Sequence, residues 1–437
     1  MNIVLLSGGS GKRLWPLSND SRSKQFIKIF KTEDDRYESM VQRVYRQIRS
    51  VDDGAEVTIA TSKSQVSAIH NQLGGDVGIS VEPCRRDTFP AIALAAAYLH
   101  DVRGVSEEEA VVVCPVDPYV EEDYFVALRE LGKRAGTSEA NLVLMGIEPT
   151  YPSAKYGYII PENKDNISRV AVFKEKPTEE KAQEYIKKGA LWNGGVFAFR
   201  LGYVLQRAHE LIDFTGYQDL FGKYDTLTKI SFDYAVVEHE EHIEVMRFGG
   251  VWKDMGTWNT LTEAMESDSI GKAIFNEHCD NVHVVNELNV PILCMGLKDM
   301  VVSASPEGIL VSDKTQSSYI KPYVDEIDQQ IMFAEKSWGS FQVIDIEEES
   351  MTIKVTLNPG HKMNYHSHAQ RDEVWTVISG RGKTVVDGVE RQVAAGDVIQ
   401  MPAGVPHTIF ADTRLQVIEV QIGLDISVHD KKKIELL

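Results

Sequence analysis

At 437 residues the chain has room for roughly two to four domains of ordinary size. Its 43% hydrophobic and 25% charged content is that of a globular protein and excludes a disordered or collagen-like chain. Lysine and arginine number 46 against 65 acidic residues, and the net charge of −19 argues against a nucleic-acid or anionic-membrane partner. The cysteines are Cys84, Cys114, Cys279 and Cys294, with no C-x-x-C pair. That usage indicates neither a thiolate zinc knuckle nor a disulfide framework, and it fits a reducing cytoplasm. No apolar run approaches the ~20 residues of a membrane span, and the start runs into glycines without a cationic leader.

In chain order, Ile3–Leu6, Val57–Ala60, Ile79–Val81, Ala110–Cys114 and Leu142–Gly146 read as buried strands. Between them Glu38–Ile48, Gln65–Gln72 and Pro90–Leu99 carry helical patterns. The alternation predicts an α/β domain over 1–268 with a mostly parallel sheet, whose ligands belong at the carboxyl ends of the strands. Residues 269–313 show only short β runs, and their periodicity fits a β-helical or a sandwich piece equally well. Residues 314–332 read as a polar linker. From 333 to 437, short β runs punctuated by Gly, Pro and Asp predict an all-β sandwich or barrel.

The first strand runs into Leu6-Ser7-Gly8-Gly9-Ser10-Gly11-Lys12-Arg13-Leu14. Glycines here let main-chain N–H groups approach a phosphate, and Lys12 and Arg13 add charge. Arg13 stands where a Walker A loop needs Ser or Thr, and Leu14 where a dinucleotide fingerprint needs glycine. Taken locally, the segment is either a phosphate loop or a plain tight turn.

Continued through Trp15-Pro16-Leu17-Ser18 to Lys24-Gln25-Phe26, it resembles the signature of the sugar-1-phosphate nucleotidyltransferases, and among these the mannose-1-phosphate guanylyltransferases. Similar motifs follow in order: Glu82-Pro83 with Arg86-Asp87-Thr88, Pro115-Val116-Asp117, Tyr156-Gly157-Tyr158-Ile159 and Glu175-Lys176-Pro177. Then come Trp192-Asn193-Gly194-Gly195, Asp233-Tyr234-Ala235, and Trp252-Lys253-Asp254-Met255-Gly256-Thr257-Trp258. The resemblance covers about 1–265. It implies a Rossmann-like nucleotidyltransferase domain that joins GTP and mannose 1-phosphate.

The resemblance also implies roles. Leu6, Ser7, Gly8, Gly9, Gly11, Lys12 and Arg13 would bind the nucleotide, with Glu82 and Arg86 at the base; Arg85 beside Arg86 leaves open which arginine makes the contact. Arg13 and Lys24 would serve the triphosphate and the attacking phosphate. Asp117 and Asp254 would hold Mg²⁺. Gly157, Glu175, Lys176 and Asn193 would hold the sugar phosphate, while Trp192 and Trp258 read as packing residues. The sequence departs from the family at Ser23, where proline is usual, and at Asp87, Phe89 and Pro118. Those departures leave the phosphate chemistry intact and bear on base and sugar specificity.

A second constellation lies downstream. Gly360, five residues, His366-x-His368, four residues, Glu373, six residues, Gly380 is followed by Gly396, five residues, Pro402-Ala403-Gly404, two residues, His407. This resembles the two cupin motifs. His366 and His368, two apart on a strand, face the same side. With Glu373 and His407 they make a donor set for Zn²⁺, Mn²⁺, Fe²⁺ or Ni²⁺. Trp338-Gly339, Pro359-Gly360, Arg371, Trp375 and 418–423 resemble a type II mannose-6-phosphate isomerase, as in bifunctional enzymes of that family. However, His366 replaces its usual glutamine, and Gln370 and Val374 replace histidines. Isomerase activity is therefore expected to be weak or absent, with Arg371 available for a phosphate and Lys354 or Lys383 as substitute bases. A homo-oligomer is expected. The alternatives are a nucleotidyltransferase for another nucleotide or sugar, and a non-catalytic sugar-phosphate-binding regulator.

Overall fold

A computed structural model describes residues 1–9, 12–19, 22–327, 330–424, 426 and 430–434. The chain divides into two compact units. One comprises Met1–Ser10, Ser23–Val66 and Leu73–Glu266; the other comprises Gly11–Arg22, Ser67–Gln72 and Ser267–Leu437.

The first unit is built on a nine-stranded sheet. Its order is Gly78–Glu82, Glu56–Ser62, Asn2–Ser7, Ala110–Pro115, Leu191–Arg200, Leu142–Ile147, Ile243–Phe248, Ile167–Lys174 and Gly157–Pro161. The first four are mutually parallel. Runs such as Val111–Cys114 and Leu142–Met145 are apolar without alternation because they are buried on both faces. Leu191–Arg200 enters antiparallel between Ala110–Pro115 and Leu142–Ile147, so the sheet is mixed. The helix Thr88–Asp101 is buried along most of its length, and its alanines allow close packing on the sheet core. The amphipathic helix Glu122–Thr137 buries Tyr124, Phe125, Leu128, Leu131 and Ala135. The helical pattern read from Glu38 begins at Met40, because Tyr37–Ser39 pairs as a strand and Ser39 forms a capping box with Gln42.

In the second unit, Ser269–Ile270, His283–Asn286 and Met300–Ser305 pair in parallel, as do Ala273–Phe275 and Ile292–Cys294. Successive short strands stacked in parallel form β-helical rungs around Val282, Val284, Cys294 and Val302. The stretch read as a linker holds the short helix Lys321–Asp325. From Phe333 onward a six-stranded and a five-stranded antiparallel sheet enclose a core containing Leu357, Trp375, Val377, Met401, Ile409 and Leu415.

Candidate functional site

In the first unit, the parallel strands deliver Ser7, Glu82 and the Pro115–Asp117 segment to their carboxyl ends, the expected ligand edge. Leu6 is half-buried and its carbonyl accepts from Val116 N at 3.2 Å. Gly8 and Gly9 are exposed, and Gly9 has φ +106°, a conformation that suits glycine. Gly11 lies outside the described residues. Lys24 Nζ is 2.6 Å from Asp117 Oδ2. Asp254 ends a short strand whose antiparallel register sets it opposite Pro118, beside Asp117 in sequence. Asp117 and Asp254 thus lie on or next to paired segments, and carboxylates are the hard oxygen donors Mg²⁺ takes. Lys12 and Arg13, in the second unit, form a short helical turn; Lys12 Nζ lies 3.0 Å from Asp325 Oδ1, and Arg13 is exposed.

Glu82 Oε2 accepts from the Tyr224 hydroxyl at 2.8 Å, and burial raises the Glu82 pKa. The Arg86 guanidinium donates to the Asp225 carbonyl. The two residues expected at the base thus meet the same Tyr224–Thr226 turn.

The residues expected at the sugar come together. A Cβ at Gly157 would collide with the Glu175 carboxylate and lie 3.3 Å from Asn193 Cβ, so this close approach requires glycine. Glu175 Oε1 pairs with Lys176 Nζ at 2.9 Å, whereas Glu175 Oε2 is buried without a hydrogen-bond partner among the described residues. Asn193 Nδ2 donates to Asp233 Oδ1 at 2.6 Å. Burial, and then the neighbouring Glu175 charge, push the Asp233 pKa up to about 6. Asp233 is a residue to which the sequence assigned no role: its motif was visible, but its approach to Asn193 is tertiary. Tyr156 packs between Trp192 and Trp252, with centroids at 4.9 and 5.6 Å, and Trp252 Nε1 is buried without a partner among the described residues. An orphan acceptor, an orphan donor and aromatic faces suit a polyhydroxyl ligand. Trp258 is fully buried and serves packing.

In the barrel, His366 and His368 share a strand, Glu373 lies near the start of Asp372–Ser379, and His407 opens His407–Ala411 opposite His366. All four are nearly inaccessible. Each imidazole Nδ1 meets a main-chain carbonyl: Asn364 O at 2.6 Å, Asp430 O at 3.1 Å and Val405 O at 2.9 Å. A carbonyl only accepts, so Nδ1 carries the proton and Nε2 presents a lone pair, the tautomer a metal requires. One ligand atom from each histidine falls within 4.8 Å of the others. Glu373 oxygens lie 3.1 Å from both His368 Nε2 and His407 Nε2, and His407 Nε2 has no hydrogen-bond donor among the described residues. Imidazole and carboxylate acceptors converging in a buried site, with the His407 lone pair unclaimed, fit a divalent cation.

Burial lowers the pKa values of His366 to about 3 and His368 to about 4, which keeps both imidazoles neutral. Burial would raise the Glu373 carboxyl, but its contacts with the basic groups around it, the His407 and His368 rings and the Arg371 guanidinium, outweigh it and hold it low. Arg371 points at the ligands, with Nε 3.0 Å from Glu373 Oε1 and a terminal nitrogen 3.1 Å from His368 Nε2. Lys354 is exposed, and Lys383 is paired with Glu390 at 2.9 Å; neither substitute base faces the cluster. The buried carboxyl of Glu419 is raised to about 8, first by burial and then by the Glu373 charge. Glu419 lies in the 418–423 stretch that resembles the isomerase, but the sequence assigned it no role, since one Glu on an alternating strand gives no sign of facing inward.

The chain belongs to the nucleotidyl transferase family, whose model matches residues 2–269, and a cupin domain matches 353–421. It is 28% identical to a mannose-1-phosphate guanylyltransferase of Salmonella montevideo, over 98% of this chain and 97% of that one. It is also 28% identical to the alginate biosynthesis protein AlgA of Pseudomonas aeruginosa, over 99% of this chain and 96% of that one. A solved structure named as a mannose-1-phosphate geranyltransferase from Thermus thermophilus is similar with a TM-score of 0.62 and 26% identity, over 74% of this chain and 98% of that one. Among the described residues no helix is long and apolar enough to cross a membrane.

Proposed function

We propose that the chain transfers GMP from GTP to mannose 1-phosphate, forming GDP-mannose and pyrophosphate. The observation that carries this reading is the end-to-end match to a relative named mannose-1-phosphate guanylyltransferase. A phosphate oxygen of the sugar 1-phosphate forms a bond to the α-phosphorus. The bond from that phosphorus to the bridging oxygen of the leaving group breaks, and its electron pair departs with pyrophosphate. The nucleophile is already ionised, so no general base is needed, and the barrier is charge crowding and alignment. In a protein of charge −19, cations must offset that crowding locally, the role assigned to Lys12, Arg13 and Lys24. Asp117 and Asp254 would hold Mg²⁺, which supplies charge neutralisation at the phosphates. Glu82 and Arg86 serve the base, and Gly157, Glu175, Lys176 and Asn193 serve the sugar phosphate.

Residues 1–268 carry this transfer, 269–313 and 314–332 connect, and 333–437 hold one divalent transition metal through His366, His368, Glu373 and His407. The orphan His407 Nε2 supports the metal reading. We further expect a cytoplasmic homo-oligomer, checked by light scattering of the purified chain. The decisive assay is pyrophosphate release across a panel of nucleoside triphosphates and sugar 1-phosphates. GTP with mannose 1-phosphate should give the highest kcat/KM; a higher value for another pair would move the assignment to that pair, and no turnover with any pair would favour a regulatory role.

A further inference from the structure

A buried polar network joins the end of the first strand, the glycine loop and the segment entering Lys24. Ser7, Ser23, Gln25, Thr61 and Gln65 are each at most 1% exposed. Gln65 Oε1 accepts from Thr61 Oγ1 at 2.8 Å, Gln25 Nε2 at 3.1 Å and Ser7 Oγ at 3.2 Å. Gln65 Nε2 donates to Ser23 Oγ at 2.8 Å, and Ser23 Oγ donates to the Gly9 carbonyl at 3.1 Å. Gln25 Nε2 also donates to Ser7 Oγ at 2.9 Å. One amide thus reaches both chain neighbours of Lys24 and, through Ser23, the glycine turn. Gln65 uses both ends of its amide, whereas Gln25 Oε1 is buried without a partner among the described residues; the Gln65 links are buried, so they act on the relative placement of the segments they join.

We propose that Gln65 is a positioning residue for the transfer reaction: it locks the main chain on both sides of Lys24 and ties that segment to the glycine turn. The inference rests on the proposed role of Lys24 at the phosphates. Ser23 has φ −70°, the angle a proline ring would fix without hydrogen bonds, and ψ 159°, which a ring leaves free. Rigidity at this position can therefore come from the Gln65–Ser23 bond or from a ring.

The test uses the full chain, with pyrophosphate release normalised to folded protein and melting temperature recorded in parallel. Because misplacing a reacting group by about 1 Å costs on the order of 10²-fold, Gln65→Leu should lower kcat roughly 10- to 100-fold. Adding Ser23→Pro should recover only the part of that loss that comes from residue 23, because the ring fixes φ there but leaves the links to Ser7, Gln25 and Thr61 broken. If Gln65→Leu does not fold, Ser23→Ala against Ser23→Pro reads the same device, with the alanine variant expected to be the slower. A kcat unchanged in Gln65→Leu, or no recovery with proline, would overturn the inference while Lys24→Ala remained inactive. A fully active Lys24→Ala would instead overturn the reading beneath it. A purely structural Gln65 would lower the melting temperature of both variants and leave kcat per folded molecule unchanged.

Discussion

Lys24 sits against Asp117 at 2.6 Å, so two segments distant in sequence bring the cation proposed for phosphate to the carboxylate proposed for a metal. These are separable by substitution. Asp117→Asn and Asp254→Asn each remove a charged donor while keeping size; turnover should vanish with the melting temperature nearly unchanged, and near-normal pyrophosphate release at saturating Mg²⁺ would relocate the metal. Lys24→Ala should cost on the order of 10²-fold or more in kcat, as loss of a positioned charge does; an unchanged rate would hand the role to Arg13 or Lys12. Asp233 gives a pH signature. Its folded pKa of about 6 lies above the ordinary carboxylate value of 3.8. Its stabilising contribution is therefore full below about 3.8 and is lost as pH rises through about 6. Asp233→Asn should flatten the melting temperature between about pH 4 and 7 relative to wild type; parallel curves would show that the buried carboxyl does not titrate there. These residues were legible in the sequence to different degrees. Lys24, Asp117 and Asp254 stood in recognisable motifs, whereas the Asn193–Asp233 contact joins residues 40 apart in the chain and has no local signal.

Among the elements, the helix Met40–Val51 shows how local chemistry sets a boundary. Ser39 accepts from Gln42 N while the Gln42 side chain reaches back to the Ser39 N–H. Ser39→Ala should lower unfolding stability by about 1 kcal/mol in denaturant titration; no change would mean the Tyr37–Ser39 strand alone fixes the helix start. Interior strands such as Ala110–Pro115 were legible because they are buried on both faces and read as unbroken apolar runs. The rungs of 269–313 were less so: each is only two to six residues long, and their parallel stacking pairs segments whose partners lie a full turn of chain away. The antiparallel entry of Leu191–Arg200 was likewise invisible, since direction within a sheet leaves no mark on an apolar run.

For the molecule as a whole, the outstanding question is what the barrel contributes to a transferase. The purified full chain is expected to carry one divalent transition metal, measured by elemental analysis. His407→Ala should lose it, since that ring offers an Nε2 lone pair to the cluster. Conversion of fructose 6-phosphate to mannose 6-phosphate is expected to be weak or absent in the metal-loaded chain. Metal-free protein would remove the first claim; robust metal-dependent turnover would remove the second and make Glu419, whose carboxyl burial pushes up, the first residue to substitute in search of the base.

The sequence by itself determined which chemistry the chain can carry. Glycine spacing, carboxylates at strand ends and the His-x-His…Glu…His pattern are each set by local covalent order, so they survive without knowledge of the fold. Only the tertiary structure decided what those groups face. Burial of Asp233 beside Glu175, the inward turn of Glu419, the outward turn of Lys354, and Gln65 bridging Ser7, Ser23 and Gln25 all depend on segments distant in sequence. The physical reason is that desolvation and hydrogen-bond satisfaction are properties of a whole neighbourhood, and a neighbourhood exists only once distant strands have paired.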